Sequence, residues 1–338
     1  MKRESVFIIA EAGVNHNGDM ALAHRLIEVA AKAGADAVKF QTFKAKEIVT
    51  AEAQKATYQK ETSGAEESQF SMLKKLELDT GAHTDLIAHA QKHDIEFLST
   101  PFDTDSLDML LELGISTIKV PSGEITNLPY LRHAGSKGMP MIISTGMTTL
   151  EEVEAAVSVL TEEGASANDI TLLHCNTQYP TPLEDANLKA METLARTFPE
   201  CAVGYSDHTS GISCPVAATA MGASVIEKHF TLDKTMEGPD HAASLDPDEL
   251  TAMISGIRDI EKALGDGTKQ PSPSEQENIN IARRFLVAAT SIAAGEIFTK
   301  TNVVAKRTGQ GGISPMQWDD VMQQTAPRDF QAGEVIEL

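Results

Sequence analysis

The feature that most constrains this chain is an alternation. Short apolar runs and amphipathic helical stretches take turns from the N-terminus to Leu264. Strands are expected over Val6–Glu11, Ala37–Thr42, Glu96–Thr100, Thr117–Ser122, Met141–Thr145, Ile170–Cys175, Ala202–Tyr205 and Ser224–Phe230. Helices are expected over Met20–Ala33, Thr84–His93, Asp105–Leu113, Pro129–Ser136, Leu150–Glu163, Asn187–Phe198, Ile212–Met221 and Pro247–Leu264. Eight such repeats point to a (β/α)₈ barrel, an α/β fold. An open doubly wound sheet is the alternative, but no Gly-rich dinucleotide fingerprint follows the first strand. The polar segment Lys44–Lys75 interrupts the pattern as a long insert, expected to be partly helical; inserts of this length are usually functional.

The pattern changes after residue 265. The stretch 266–281 is rich in Pro, Ser, Gly and Gln and reads as a linker. Beyond it lie short β-like runs, Phe285–Ala289, Ile297–Phe298, Val303–Ala305 and Val335–Ile336. The expected domains are therefore a barrel over 1–265 and a small β-rich domain over 282–338.

Composition narrows the function. The 338 residues carry a formal net charge of −21, which argues against nucleic acid as a partner. No apolar run is long enough to span a bilayer, and Glu11 breaks the first apolar run before it could act as a signal segment. A cytoplasmic protein is expected. Cys175, Cys201 and Cys214 have no metal or disulfide spacing and read as buried small hydrophobes.

A barrel of this class places its chemistry where strands end. Polar residues gather there: Glu11, Lys39 with Gln41, Thr100, Lys119 with Ser122 and Glu124, Ser144, Asn176 with Thr177, Ser206 with His208, and Glu227 with His229. Side chains alternate faces along a strand, so Glu227 and His229 share a face, as do Ser206 and His208. If their strands are parallel neighbours, the two histidines converge, and neutral imidazoles with carboxylates nearby suit a divalent metal. Lys39 and Lys119, with hydroxyls around them, suit a phosphate and a carboxylate; pairing of each lysine with a buried glutamate is the alternative.

The motifs IAEAGVNHNGD, AVKFQTFKA, STPFD, KVPSGE, STGM, LLHCNTQYPTP, GYSDHTSG, IEKHFTLDK and GPDHAAS together resemble the bacterial sialic acid synthase family. The tail, ARRFLVAATSIAAGEIFTKTNVVAKRTGQGGISPMQWDDV, resembles that family's C-terminal antifreeze-like (SAF) domain. The resemblance implies a homodimer with the SAF domain swapped onto the partner's barrel. It implies condensation of phosphoenolpyruvate with an open-chain, N-acetylated mannose-type sugar and water, releasing phosphate by C–O cleavage, with Mn²⁺ or Mg²⁺. N-acetylmannosamine giving N-acetylneuraminate is the main expectation. A sugar with a second acetamido group and no 6-hydroxyl, giving legionaminic or a related acid, is the alternative. A non-catalytic sugar-binding barrel is a third reading, disfavoured by the retained lysines, histidines and acids.

Residue by residue, the resemblance implies that His208 and His229 hold the metal. Lys39, Thr100, Lys119, Ser122, Ser144 and Ser206 would contact phosphoenolpyruvate. Glu11, Gln41, Glu124, Tyr179, Glu227 and Asp240 would surround the sugar and the reacting carbons, with Glu227 and Glu124 as candidates for proton transfer. Thr177 stands where some relatives have Asn. Arg307 would hold the sugar's N-acetyl group in the partner's site.

Overall fold

In the computed structural model, residues 5–50, 53–55 and 68–338 are described. Eight parallel strands form one sheet: β1 (Phe7–Gly13), β2 (Ala37–Thr42), β3 (Glu96–Pro101), β4 (Ile118–Val120), β5 (Met141–Ser144), β6 (Ile170–Cys175), β7 (Ala202–Asp207) and β8 (Val225–His229). Their order is β3-β2-β1-β8-β7-β6-β5-β4, and β3 lies beside β4, so the sheet closes into the expected barrel.

Each helix forms for local reasons. Asp19 caps the helix Met20–Ala33 by accepting from the Ala21 amide, and Gly34 ends it with φ 87°. Its buried residues, Ala23, Leu26, Ile27 and Ala30, recur at helical spacing and pack on the strands' outer face. Burial of a side chain such as Leu26 contributes roughly 1.5–3 kcal/mol. Capping boxes start the helices Leu150–Glu162 and Pro247–Leu264. The helix expected from Thr84 begins at Thr80, because Asp79 caps it by accepting from the Ala82 amide.

Two layers of apolar side chains use the two faces of each strand. The outer layer lies between strands and helices. A smaller inner set, Phe7, Ile9, Ala37, Leu98, Ile142, Leu173 and Val225, fills the barrel interior. Continuing each of these faces toward the strand's C-terminus leads to Glu11, Lys39, Thr100, Ser144, Cys175 and Glu227 with His229. The period-two rule thus aims the polar strand ends into the barrel mouth.

Several strand limits differ from expectation by one or two residues, β7 running on to Asp207, and two of the differences have a plain cause. β1 runs on to Gly13, because inward-facing Glu11 is buried within the strand rather than ending it. β4 stops at Val120, because Pro121 has no amide hydrogen to donate. A 3₁₀ turn over Ser122–Glu124 follows. Within the insert Lys44–Lys75, short helices cover Ala45–Ile48 and, at its end, Gln69–Leu76, and the intervening residues 51–52 and 56–67 lie outside the described set.

Contacts divide the chain into two compact units, 1–265 and 266–338. In the second, β9 (Arg284–Ala288) pairs antiparallel with β10 (Val303–Arg307). Single bridges join Ile292 to Phe330, Ile297 to Thr325 and Val287 to Val335 over a core containing Leu286, Phe298 and Phe330. The stretch read as a linker carries a 3₁₀ turn, Pro273–Glu275, and the helix Gln276–Ala282, because Ser272 and Glu275 form a capping box.

Candidate active site

The parallel registers bring residues distant in sequence side by side. Glu11 lies level with Lys39 on one side and His229 on the other. Gln41 pairs with Thr100, Cys175 with Ser206, and Ser206 with Glu227.

Lys39 is the hub of one cluster. Its Nζ lies 2.8 Å from Glu11 Oε2 and 3.6 Å from Glu227 Oε2. It donates to Thr100 Oγ1 at 2.8 Å. Ser206 donates to Glu227 Oε1 at 3.0 Å, and Gln41 donates to Glu11 Oε1 at 3.3 Å. Burial pushes the Glu11 carboxyl up to about 7, against the pull of Lys39, with the charge of Glu227 adding to the rise. Burial also works against ionised Glu227, but Lys119 and Lys39 outweigh it and hold that carboxyl below its ordinary value. One acid is therefore near neutrality while its neighbour stays charged. Apart from Lys39, Glu11 Oε2 and Glu227 Oε2 have no hydrogen-bond partner among the described residues.

Lys119 is placed differently. It is only 3% exposed, donates to Ser144 Oγ at 2.6 Å and the Val120 carbonyl at 3.3 Å, and has no carboxylate within ion-pair distance among the described residues. Burial holds its ammonium below the usual lysine range, although Glu227 opposes the shift. A buried cation with hydroxyl and carbonyl partners but no carboxylate is suited to receive an anion.

Beside it, Ser122 accepts from the Gly146 amide at 3.0 Å and lies 3.3 Å from Cys175 Sγ. Cys175 is buried as expected, but at the mouth, and burial keeps its thiol protonated. A Cβ on Gly146 would lie 2.7 Å from the Thr177 methyl and 2.9 Å from Ser122 Oγ, so only glycine allows this approach.

The third cluster is aromatic. The rings of His208 and His229 lie 5.4 Å apart, and the Tyr179 ring lies 4.1 Å from His208 and 5.6 Å from His229. His208 donates from Nδ1 to the Asn176 carbonyl, leaving Nε2 for a ligand. Burial pushes the His208 imidazole down to about 4 and that of His229 well below its ordinary value, so both are neutral near pH 7. His229 Nδ1 has no hydrogen bond among the described residues and lies 4.0 Å from Asp240 Oδ2. Burial raises the Asp240 carboxyl to about 6. Two neutral imidazoles, one with an unsatisfied buried nitrogen, are the donors a divalent cation needs. Gly13, at φ +54°, passes so close that a Cβ would meet the His229 ring at 3.2 Å.

Another donor group, Glu28, His89 and His93, has ligand atoms within 4.8 Å of one another. Glu28 and His89 sit on the outer helices Met20–Ala33 and Thr80–Lys92, and His93 caps the second, apart from the barrel mouth.

All but one of the expected site residues therefore lie in the barrel unit. Glu124 is half-buried on its 3₁₀ turn, accepts from Asn127 at 2.6 Å, and shares a cavity of about 320 Å³ with Tyr179, His229 and Asp240. Arg307 ends β10, exposed, in the second unit. The residue pattern gave no sign of Gly13, Gly146 or the Asn176 carbonyl, because a glycine has no side chain to read and a main-chain carbonyl is the same at every position.

Comparison with known proteins identifies the family of the chain. Residues 26–269 match the NeuB family, and residues 283–338 match the SAF domain. An N,N'-diacetyllegionaminic acid synthase from Campylobacter jejuni is 54% identical, covering 98% of this chain and 99% of that protein. A synthase of the same name from Legionella pneumophila is 47% identical, covering 97% and 92%. The crystal structure of an N-acetylneuraminic acid synthetase from Leptospira borgpetersenii, in complex with citrate, has 39% identity and a TM-score of 0.71, covering 81% of this chain and 90% of that one. On the family match and the extent of these identities, the chain belongs to the NeuB family of sialic acid synthases, is an enzyme of the condensing-transferase type, and ends in a SAF domain.

Proposed function

We propose that this enzyme condenses phosphoenolpyruvate with an open-chain 2,4-diacetamido-2,4,6-trideoxy sugar and water, giving a legionaminic-type acid and phosphate. The observation that carries the anion half is Lys119, buried beside Lys39 without a carboxylate partner among the described residues. The choice of sugar rests on the legionaminic acid synthases, at 54% and 47% identity, against 39% for the N-acetylneuraminic acid synthetase. The N-acetylmannosamine expectation thus gives way to its alternative.

The mechanism follows from the clusters. Lys39 and Lys119, with Thr100, Ser122, Ser144 and Ser206, hold the phosphate and carboxylate of phosphoenolpyruvate. A divalent cation, Mn²⁺ or Mg²⁺, held by His208 and His229, would polarise the aldehyde oxygen as a Lewis acid. C3 of phosphoenolpyruvate attacks the aldehyde carbon, and positive charge develops at C2. Ionised Glu227 stabilises that charge. Water adds at C2, and the C–O bond to phosphate breaks. Glu11, raised to about 7, can hold or pass one proton at neutral pH, a task for which Glu227 and Glu124 looked better from sequence.

The test is phosphate release from phosphoenolpyruvate by pure protein with Mn²⁺ and each sugar in turn. Turnover with the diacetamido sugar is expected, with loss on EDTA treatment and recovery on adding Mn²⁺. Full turnover after chelation would remove the metal from the proposal, and no release with any acylated amino sugar would remove the reaction.

The same reading extends to assembly as a swapped homodimer. Arg307 is exposed and precedes Gly309, Gly311 and Gly312, all at positive φ, a backbone suited to folding over a site mouth. Mixing inactive Lys119→Ala and Arg307→Ala subunits should restore activity if the arginine acts across the dimer. No recovery after verified exchange sinks the swap.

A further inference from the structure

The cavity of about 320 Å³ beside the histidine pair has two unlike walls. One is polar, with Glu124, Tyr179 and Asp240 next to His229. The other is mostly apolar, with half-buried Ile48, Leu73 and Phe102 and the single polar side chain of Gln69. Phe43 and Met72, buried in the same cluster, also line the cavity. Ile48 and Leu73 belong to the two short helices of the insert, and Phe102 follows β3.

An apolar wall is costly for a sugar with hydroxyls all round. Each hydroxyl turned against it gives up water without gaining a partner. A deoxy carbon or an acetyl methyl gains by the same contact. In the proposed reaction the aldehyde end lies by His208 and His229, which turns the substituents remote from it toward the apolar wall.

We infer that Ile48, Leu73 and Phe102 form a specificity wall, one that accepts the methyl-bearing, deoxygenated end of the acceptor sugar and rejects one hydroxylated there. The inference rests on the proposed condensing reaction and assigns its sugar selectivity to three side chains. A methyl-sized change in an apolar pocket alters kcat/KM by about ten-fold or more.

The experiment compares kcat/KM for 2,4-diacetamido-2,4,6-trideoxymannose and N-acetylmannosamine, at saturating phosphoenolpyruvate and Mn²⁺. The wild type should favour the diacetamido sugar by at least about ten-fold. Ile48→Asn, Leu73→Gln and Phe102→Tyr should each reduce that ratio by about ten-fold. Ile48→Val and Leu73→Met should preserve it. The ratio does not depend on the folded fraction, so partial unfolding leaves it readable, and Phe102→Tyr adds only a hydroxyl to a side chain of the same shape. An active wild type whose ratio is unchanged in all three polar variants overturns the wall and leaves the reaction standing. A wild type that prefers N-acetylmannosamine also overturns the wall. Phosphate release with neither sugar overturns both the wall and the reaction beneath it.

Discussion

Two buried lysine–carboxylate groups lie on opposite faces of the barrel strands, Lys228 with Asp207 on β8 and β7 and Lys39 with Glu11 and Glu227 on β2, β1 and β8, and they are built to different ends. Outward, Lys228 donates to Asp207 and, at 2.6 Å, to the Thr209 carbonyl. Asp207 also accepts from Tyr205 at 3.0 Å and from the Thr209 amide at 3.0 Å and hydroxyl at 3.1 Å. This group is closed, because it satisfies itself. Inward, Lys39 is shared between Glu11 and Glu227, whose Oε2 atoms have no partner beyond that one ammonium among the described residues. Lys119 has no carboxylate within ion-pair distance among the described residues. Charge buried without full satisfaction costs stability, and it persists where a ligand completes it. Unsatisfied demand, more than burial or charge, separates the site from the scaffold.

The comparison breaks most clearly at Lys228. Lys228→Met leaves Asp207 buried and uncompensated, and should cost about 3–5 kcal/mol of folding stability. Urea unfolding measures it, and a loss under about 1 kcal/mol would show that the outward group is not the closed structural pair described.

Lys119→Met tests the opposite face. It should remove about 2–4 kcal/mol of transition-state binding for phosphoenolpyruvate while thermal stability holds or rises, since an incompletely satisfied buried charge disappears. A variant that loses stability while keeping kcat/KM would place Lys119 with the scaffold.

His16 is an exception that sharpens the rule. It is buried, outside the inward set, and its Nε2 has no partner among the described residues. Burial, with like-charge repulsion from His83 and His241, holds its imidazole down to about 4 against 6.5 in the unfolded chain. The unfolded state therefore takes up a proton first as pH falls. Stability is full above pH 6.5 and is lost progressively toward pH 4, by about 2 kcal/mol at pH 5 from this residue. His16→Gln should flatten that part of the stability–pH curve. An unchanged slope would mean His16 is not neutral in the fold.

The smallest effect is a control on the scaffold. Asp246 caps the helix Pro247–Leu264 by accepting from the Glu249 amide at 2.8 Å. Asp246→Ala should lower stability by about 1 kcal/mol and leave kcat/KM unchanged. A kinetic change would mean that the closed regions and the site are coupled.

The sequence by itself determined the barrel and the membership of the inward face. Both rest on local periods: helical spacing such as Ala23, Leu26, Ile27 and Ala30, and the strand period of two that puts Glu227 and His229 together. Local signals also failed in a consistent way. Asp79 was passed over as a cap, Pro121 ended a strand early, and Gly13 and Gly146 were invisible because their role is to have no side chain. Only the tertiary structure decided which charges meet. Lys39 reads as one lysine at a strand end, but its sharing between Glu11 and Glu227 depends on the registers of β1, β2 and β8. The same holds for Asp207 closing on Lys228, and for Ile48, Leu73 and Phe102 meeting around one cavity. A strand's own period fixes which way a side chain points; what it points at is set by segments far away in sequence, and that is where desolvation and charge pairing act.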